Sequence, residues 1–124
     1  KAGKLWNTFP LIDGQFFPSQ LISMKPLYLN FINNMMMFQF MHRVIAVILV
    51  AYCIYFFFKT ANETYSKYTG LLFMIIINQF IIGVITLLTK VQINLGVLHQ
   101  CVAIILMLLI IQIKHSIIYR NTVE

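Results

Sequence analysis

The sequence predicts an all-α integral membrane fold with three transmembrane helices. Of its 124 residues, 60% are hydrophobic and only 10% are charged, and the mean hydropathy is +0.86. A soluble globule of this size must keep most of its surface polar, and nine Lys and Arg with three Asp and Glu cannot cover it. Three apolar stretches are long enough to span a hydrocarbon core of about 30 Å at about 1.5 Å per residue. Those stretches are solidly apolar, whereas barrel strands would alternate in polarity over about ten residues.

Residues 1–37 differ in kind from the rest. Pro10, Pro18 and Pro26 punctuate them, no apolar run reaches spanning length, and Asp13-Gly14 is a turn signal. Trp6, Phe9, Phe16, Phe17 and Tyr28 supply rings suited to the headgroup layer or to capping helix ends. The remainder, 38–124, is expected to hold the spans. The first runs from about Phe38 to Phe58, with His42 and Arg43 near its start and Lys59 after its end. The second runs from Tyr68 to Thr89 between Lys67 and Lys90, and carries Asn78, Gln79 and Gly83 near its middle. The third runs from about Asn94 to Ile113, with His99 near its start and a tail bearing Lys114, His115 and Arg120.

A net charge of +6 would suggest a nucleic-acid partner in a soluble protein. Here the cations stand singly at the ends of apolar runs, with no polybasic block or RNA-binding motif, so the partner they imply is the lipid bilayer and no nucleic acid. Lys59, Lys67, Lys114 and Arg120 flank one side, against Lys25 and Lys90 near the other with Lys1 and Lys4 more distant, so the first side is expected to be cytoplasmic. Cys53 and Cys101 lie inside apolar runs without metal spacing and read as buried free thiols. The chain starts at Lys1 rather than Met and shows no signal-peptide pattern, so it is expected to be part of a longer protein.

The first and third spans run in the same direction. His42 lies four residues after Phe38 and His99 five after Asn94, which sets both imidazoles roughly 6 to 8 Å inside their helices. Ala46 and Ala103 each follow a histidine by one turn, and Gly96 precedes His99 by three residues; small side chains there leave space for a flat macrocycle. A bis-histidine haem needs that arrangement, each neutral ring nitrogen supplying one axial ligand to the iron. The competing reading is a pair of hydrogen-bonding bridges between helices. A lone metal ion fits less well, because no carboxylate or third histidine stands at that level.

Arg43 and Lys90 read either as partners of haem propionates or as cations snorkelling to the interface. Gln39 and Gln100 read as partners of propionates or of the histidines, or as interhelical bonds, and Asn78 and Gln79 as bridges between helices. His115 reads as an interface residue.

Four motifs resemble one family, haem A synthase. The run Ala2-Gly3-Lys4-Leu5-Trp6-Asn7-Thr8-Phe9-Pro10-Leu11-Ile12-Asp13-Gly14 resembles the outer loop of its second half. Gln39-Phe40-Met41-His42-Arg43 resembles its Gln-Phe-x-His-Arg signature, and Leu98-His99-Gln100 its later His-Gln signature. Between them, the run from Asn78 to Leu88 resembles its Gln-x-x-x-Gly-x-x-Thr-Leu-Leu helix, through Gln79, Gly83, Thr86, Leu87 and Leu88. The order and spacing match over nearly the whole chain.

The resemblance implies an eight-helix enzyme of two similar four-helix halves, which oxidises a methyl group of haem O to the formyl group of haem A for cytochrome oxidase. It implies that His42 and His99 are the metal-ligating pair of the second half, holding a haem b cofactor in a four-helix haem-binding bundle of which three helices are present. The missing N-terminal half of the same protein, with haem O synthase and cytochrome oxidase assembly factors, would be its partners. The membrane would be the bacterial cell membrane or the mitochondrial inner membrane. The family's functionally important outer-loop glutamate belongs to the absent half; Asp13, the acid on the outer side here, reads as a turn residue. The catalytic residues would lie outside this chain, and the fragment alone is expected to be inactive. Two other classes remain open from the residues themselves: a membrane cytochrome b electron-transfer subunit, and a non-catalytic membrane assembly or transport protein.

Overall fold

The computed structural model describes residues 4–62 and 66–123, without the side chains of 117 and 120–123. Lys1, Ala2, Gly3 and the Arg120 side chain, invoked above, lie outside the described residues. A 3-10 helix, Ser19–Ile22, is followed by α1 (Leu29–Asn33), α2 (Met35–Lys59), α3 (Ser66–Leu88) and α4 (Ile93–Val123). Among the described residues, three helices are long and apolar enough to cross a membrane: Met35–Lys59, Ser66–Leu88 and Ile93–Ser116. They are the three expected spans, each beginning slightly earlier than the apolar run, and α4 continues well past Ile113.

Local chemistry sets the boundaries. Asn34 caps α2: its Oδ1 accepts from the backbone N–H of Met36 at 3.0 Å and of Met37 at 3.3 Å, satisfying donors that have no partner within the helix. The same side chain donates to the Gln20 carbonyl at 2.7 Å and so ties the start of α2 to the preceding segment. Lys59 ends α2, where a cation complements the helix dipole, and Thr60 donates its backbone N–H to Phe56 O.

The end of α3 is a Schellman turn. The Val91 N–H bonds to Thr86 O at 2.8 Å and the Lys90 N–H to Leu87 O at 3.1 Å, with Lys90 held at φ 58° in the left-handed region. The connection to α4 is therefore short, and α4 returns along α3.

Helices α2 and α4 both pack against α3 and are antiparallel to it. Cys53, Leu72, Ile76, Leu106 and Ile113 form the buried seam, and Phe57 stacks on Phe73 at 4.9 Å near the Lys59 end. Most other large apolar side chains on the helices are exposed, which suits a hydrocarbon solvent. Cys53 is buried, but Cys101 is exposed, which corrects the expectation for that thiol. It lies two residues past His99, about 200° around α4, and so faces away from α3.

Residues 4–34 fold over the ends of the helices. Ile12, Leu21, Met36 and Met37 form a second buried cluster, with Trp6 and Phe40 against it. Asp13-Gly14 makes the expected turn: φ is 51° and 78°, and Ile12 and Gln15 exchange backbone hydrogen bonds at 2.9 and 3.0 Å. Positive φ at both central residues is the pattern of a type I′ turn, for which Asp-Gly is a preferred pair.

Candidate functional site

The three long helices line an open-sided cavity of about 520 Å³ beneath the cap. That volume falls within the roughly 300–1,000 Å³ typical of ligand and cofactor sites. Its walls are mainly aliphatic, Phe9 of the cap contributes to the lining, and Phe9 meets Phe80 of α3 edge-on at 5.9 Å.

His42 and His99 both line this cavity. His42 is the eighth residue of α2 and His99 the seventh of α4, so the two rings enter about 10 Å and 9 Å from the first residues of parallel helices. Ala46 and Ala103 line the cavity as well. Gly96 does not: a Cβ added there would meet only Val91 Cγ1, at 3.9 Å. The glycine that makes room is Gly83, on the facing helix. A Cβ on Gly83 would stand 2.9 Å from His99 Cε1 and 3.4 Å from Nδ1, so the imidazole occupies the space of the absent side chain.

One turn earlier on the same face of α3, Gln79 donates through Nε2 to the His99 carbonyl at 3.0 Å. The same nitrogen lies 3.4 Å from His99 Nε2. Gln79 thus bridges α3 and α4. Asn78 does not: it is exposed and donates to Met74 O within its own helix. One residue's rotation of about 100° separates the two amides.

Arg43 and Gln39 also line the cavity, yet their donors point back to the cap. Arg43 donates from Nη1 to Pro10 O at 3.1 Å and Leu11 O at 3.0 Å, and from Nη2 to Trp6 O at 3.2 Å. Gln39 Nε2 donates to the same Trp6 carbonyl at 2.8 Å. Backbone carbonyls left free by the irregular, proline-punctuated cap are the acceptors. No sequence motif marks them as such, and the guanidinium neither snorkels freely nor stands empty-handed. Lys90 and Gln100 are exposed and are not part of the cavity lining. Lys90 serves the α3 end turn, and Gln100 is turned about 100° from His99 on α4. His115 stands at the far end of α4, stacked on Tyr119 at 6.4 Å.

Among the described residues, four buried polar atoms of the cavity lining have no hydrogen-bond partner: Gln39 Oε1, Arg43 Nε, Gln79 Oε1 and His99 Nδ1. Each buried unsatisfied group costs about 1–3 kcal/mol, and together they leave polar capacity around an apolar slot. Among the described residues no group of three or more His, Cys, Asp and Glu could hold a bare metal ion. Two imidazoles lining one cavity would instead suit an iron that brings its own equatorial ligands, as haem iron does; Ala46 and Ala103 leave space in the slot, and Gly83 makes room for the His99 ring. The residues present therefore fit a bis-histidine haem.

Residues 1–111 match the family described as cytochrome oxidase assembly protein. Relatives named haem A synthase include one from Bartonella tribocorum, 40% identical over 86% of this chain and 31% of its own length. Those of Bartonella henselae and Wolbachia pipientis wMel are 41% and 36% identical, over 83% and 85% of this chain and 30% and 29% of theirs. The chain thus spans about 30% of the length of these curated relatives. No solved structure matches. With three spanning helices and this match over nearly its whole length, the chain is a multi-pass membrane protein segment that belongs to the cytochrome oxidase assembly protein family, alongside the bacterial haem A synthases.

Proposed function

We propose that this chain is the cofactor-binding part of a haem A synthase, in which His42 and His99 would hold the iron of a b-type haem. The observation that carries the reading is that both imidazoles, at matched depth on parallel helices, line one largely apolar cavity. When bound, haem b supplies a one-electron redox centre. The protein's own contribution would be to offer one imidazole each from α2 and α4, to line the slot with largely apolar side chains, and to set Phe9 of the cap against it.

In this reading the complete protein oxidises the methyl group of haem O to the formyl group of haem A, with the chemistry in a part of the protein outside this chain. The cap, residues 4–34, faces the periplasm or intermembrane space, and Lys59, Lys67 and Lys114 mark the cytoplasmic or matrix side. The remaining part of the same protein, haem O synthase and cytochrome oxidase assembly factors are its partners.

The test is expression of the complete gene product containing this chain in cells that make haem O but no haem A, followed by haem extraction and chromatography. Appearance of haem A supports the reading. Bis-histidine haem b without haem A would identify an electron-transfer cytochrome instead, and absence of both would leave a non-catalytic assembly role.

A further inference from the structure

The helix between the two histidine-bearing helices does more than space them. Three observations converge on its middle turn. Gly83 is the position whose missing side chain the His99 ring fills, at 2.9 Å from a virtual Cβ. Gln79, one turn away on the same face, holds the His99 carbonyl at 3.0 Å and brings the same amide nitrogen to 3.4 Å from the ring Nε2. Gln79 Oε1 and His99 Nδ1 are both buried without partners, so each retains hydrogen-bonding capacity inside the slot.

A histidine ligand needs its ring plane fixed by contacts that are not the metal, since orientation and basicity are set by those neighbours. From these contacts we infer that Gln79 and Gly83 are positioning residues: together they form a seat on α3 that fixes the orientation of the His99 imidazole. The inference rests on the assignment of His42 and His99 as haem ligands. The amide holds the backbone and meets the ring at Nε2, the glycine admits the adjoining Cε1 corner, and Nδ1 is the ring nitrogen left without a partner. The carbonyl contact also settles which end of the Gln79 amide faces His99, because only the NH2 group can donate to an oxygen.

Two matched pairs of variants in the complete gene product, purified with its haem b, test this seat. Gly83→Ala is set against Gly96→Ala, and Gln79→Leu against Asn78→Leu. Both alanines add one methyl to a helix and gain about 1 kcal/mol of helix propensity, so only their surroundings differ. Gly83→Ala and Gln79→Leu should lower affinity for haem b about 10-fold or more, and shift both the low-spin electron paramagnetic resonance signal and the midpoint potential of the haem b that remains. Gly96→Ala and Asn78→Leu should match the wild type in all three readouts.

An unchanged resonance signal and potential in Gly83→Ala and Gln79→Leu would overturn the inference even if both variants melt earlier, because looser packing of α3 on α4 lowers stability without retuning the ligand. Should Gly83→Ala fail to accumulate, Gln79→Leu decides by the same criterion. Wild-type protein lacking bis-histidine haem b would overturn the ligand assignment and the seat together. Wild-type haem b with four unaltered variants would overturn the seat alone.

Discussion

Arg43 donates to the Leu11 carbonyl at 3.0 Å, and so joins the residue after His42 to the turn-bearing cap across 32 positions of sequence. Further bonds to Pro10 and Trp6 make the guanidinium a clamp on three carbonyls. Arginine suits this role because its planar fork presents several donors at once, which an ammonium cannot.

Arg43→Lys is therefore expected to loosen the cap almost as much as Arg43→Ala. Hydrogen bonds from a charged group contribute about 1.5–3 kcal/mol each when well formed; partial exposure of this site reduces that, and a loss of about 2 kcal/mol in all is expected for Arg43→Ala. Limited trypsin digestion in membranes checks it, through faster cleavage at Lys4 in both variants. Wild-type cleavage rates in Arg43→Lys would contradict the clamp.

Asn34 serves both helix and cap. Asn34→Ala removes the α2 N-cap and the bond to Gln20, and is expected to lower stability by about 1–2 kcal/mol. Asn34→Asp keeps the acceptor for Met36 and Met37 but loses the amide donor, so its melting temperature should fall between the other two. Thermal unfolding in detergent, followed by circular dichroism, would report the order.

Lys90 sits at φ 58° in the Schellman turn, a conformation costing a side-chain-bearing residue about 1 kcal/mol and a glycine little. Lys90→Gly should raise the melting temperature and leave haem b content unchanged. A loss of haem b in this variant would instead restore Lys90 as a propionate contact.

Much of this organisation is legible in the sequence, and the parts that are not have a common cause. Run lengths between Lys59, Lys67 and Lys90 mark the spans because charge is excluded from hydrocarbon. The spacing of His42 and His99 from the starts of their runs reports depth directly, since a helix converts sequence to distance at about 1.5 Å per residue. Helical phase also separates Gln100 from His99 by about 100°, a signal present in the sequence that proximity alone obscures.

Partners across elements carry no such ruler. Gly96 stands three residues from His99 and yet makes no room for it, whereas Gly83, sixteen positions away, does, because α3 and α4 are antiparallel and bring those turns together. Arg43 and Gln39 bond to carbonyls of Trp6, Pro10 and Leu11, and backbone acceptors have no residue signature.

The central claim, that His42 and His99 ligate one haem, is tested most directly by redox difference spectra of the complete gene product containing this chain. The wild type should show a bis-histidine haem b, and His42→Ala and His99→Ala should each abolish its low-spin six-coordinate signature. Undiminished bis-histidine haem b in both variants would contradict the assignment.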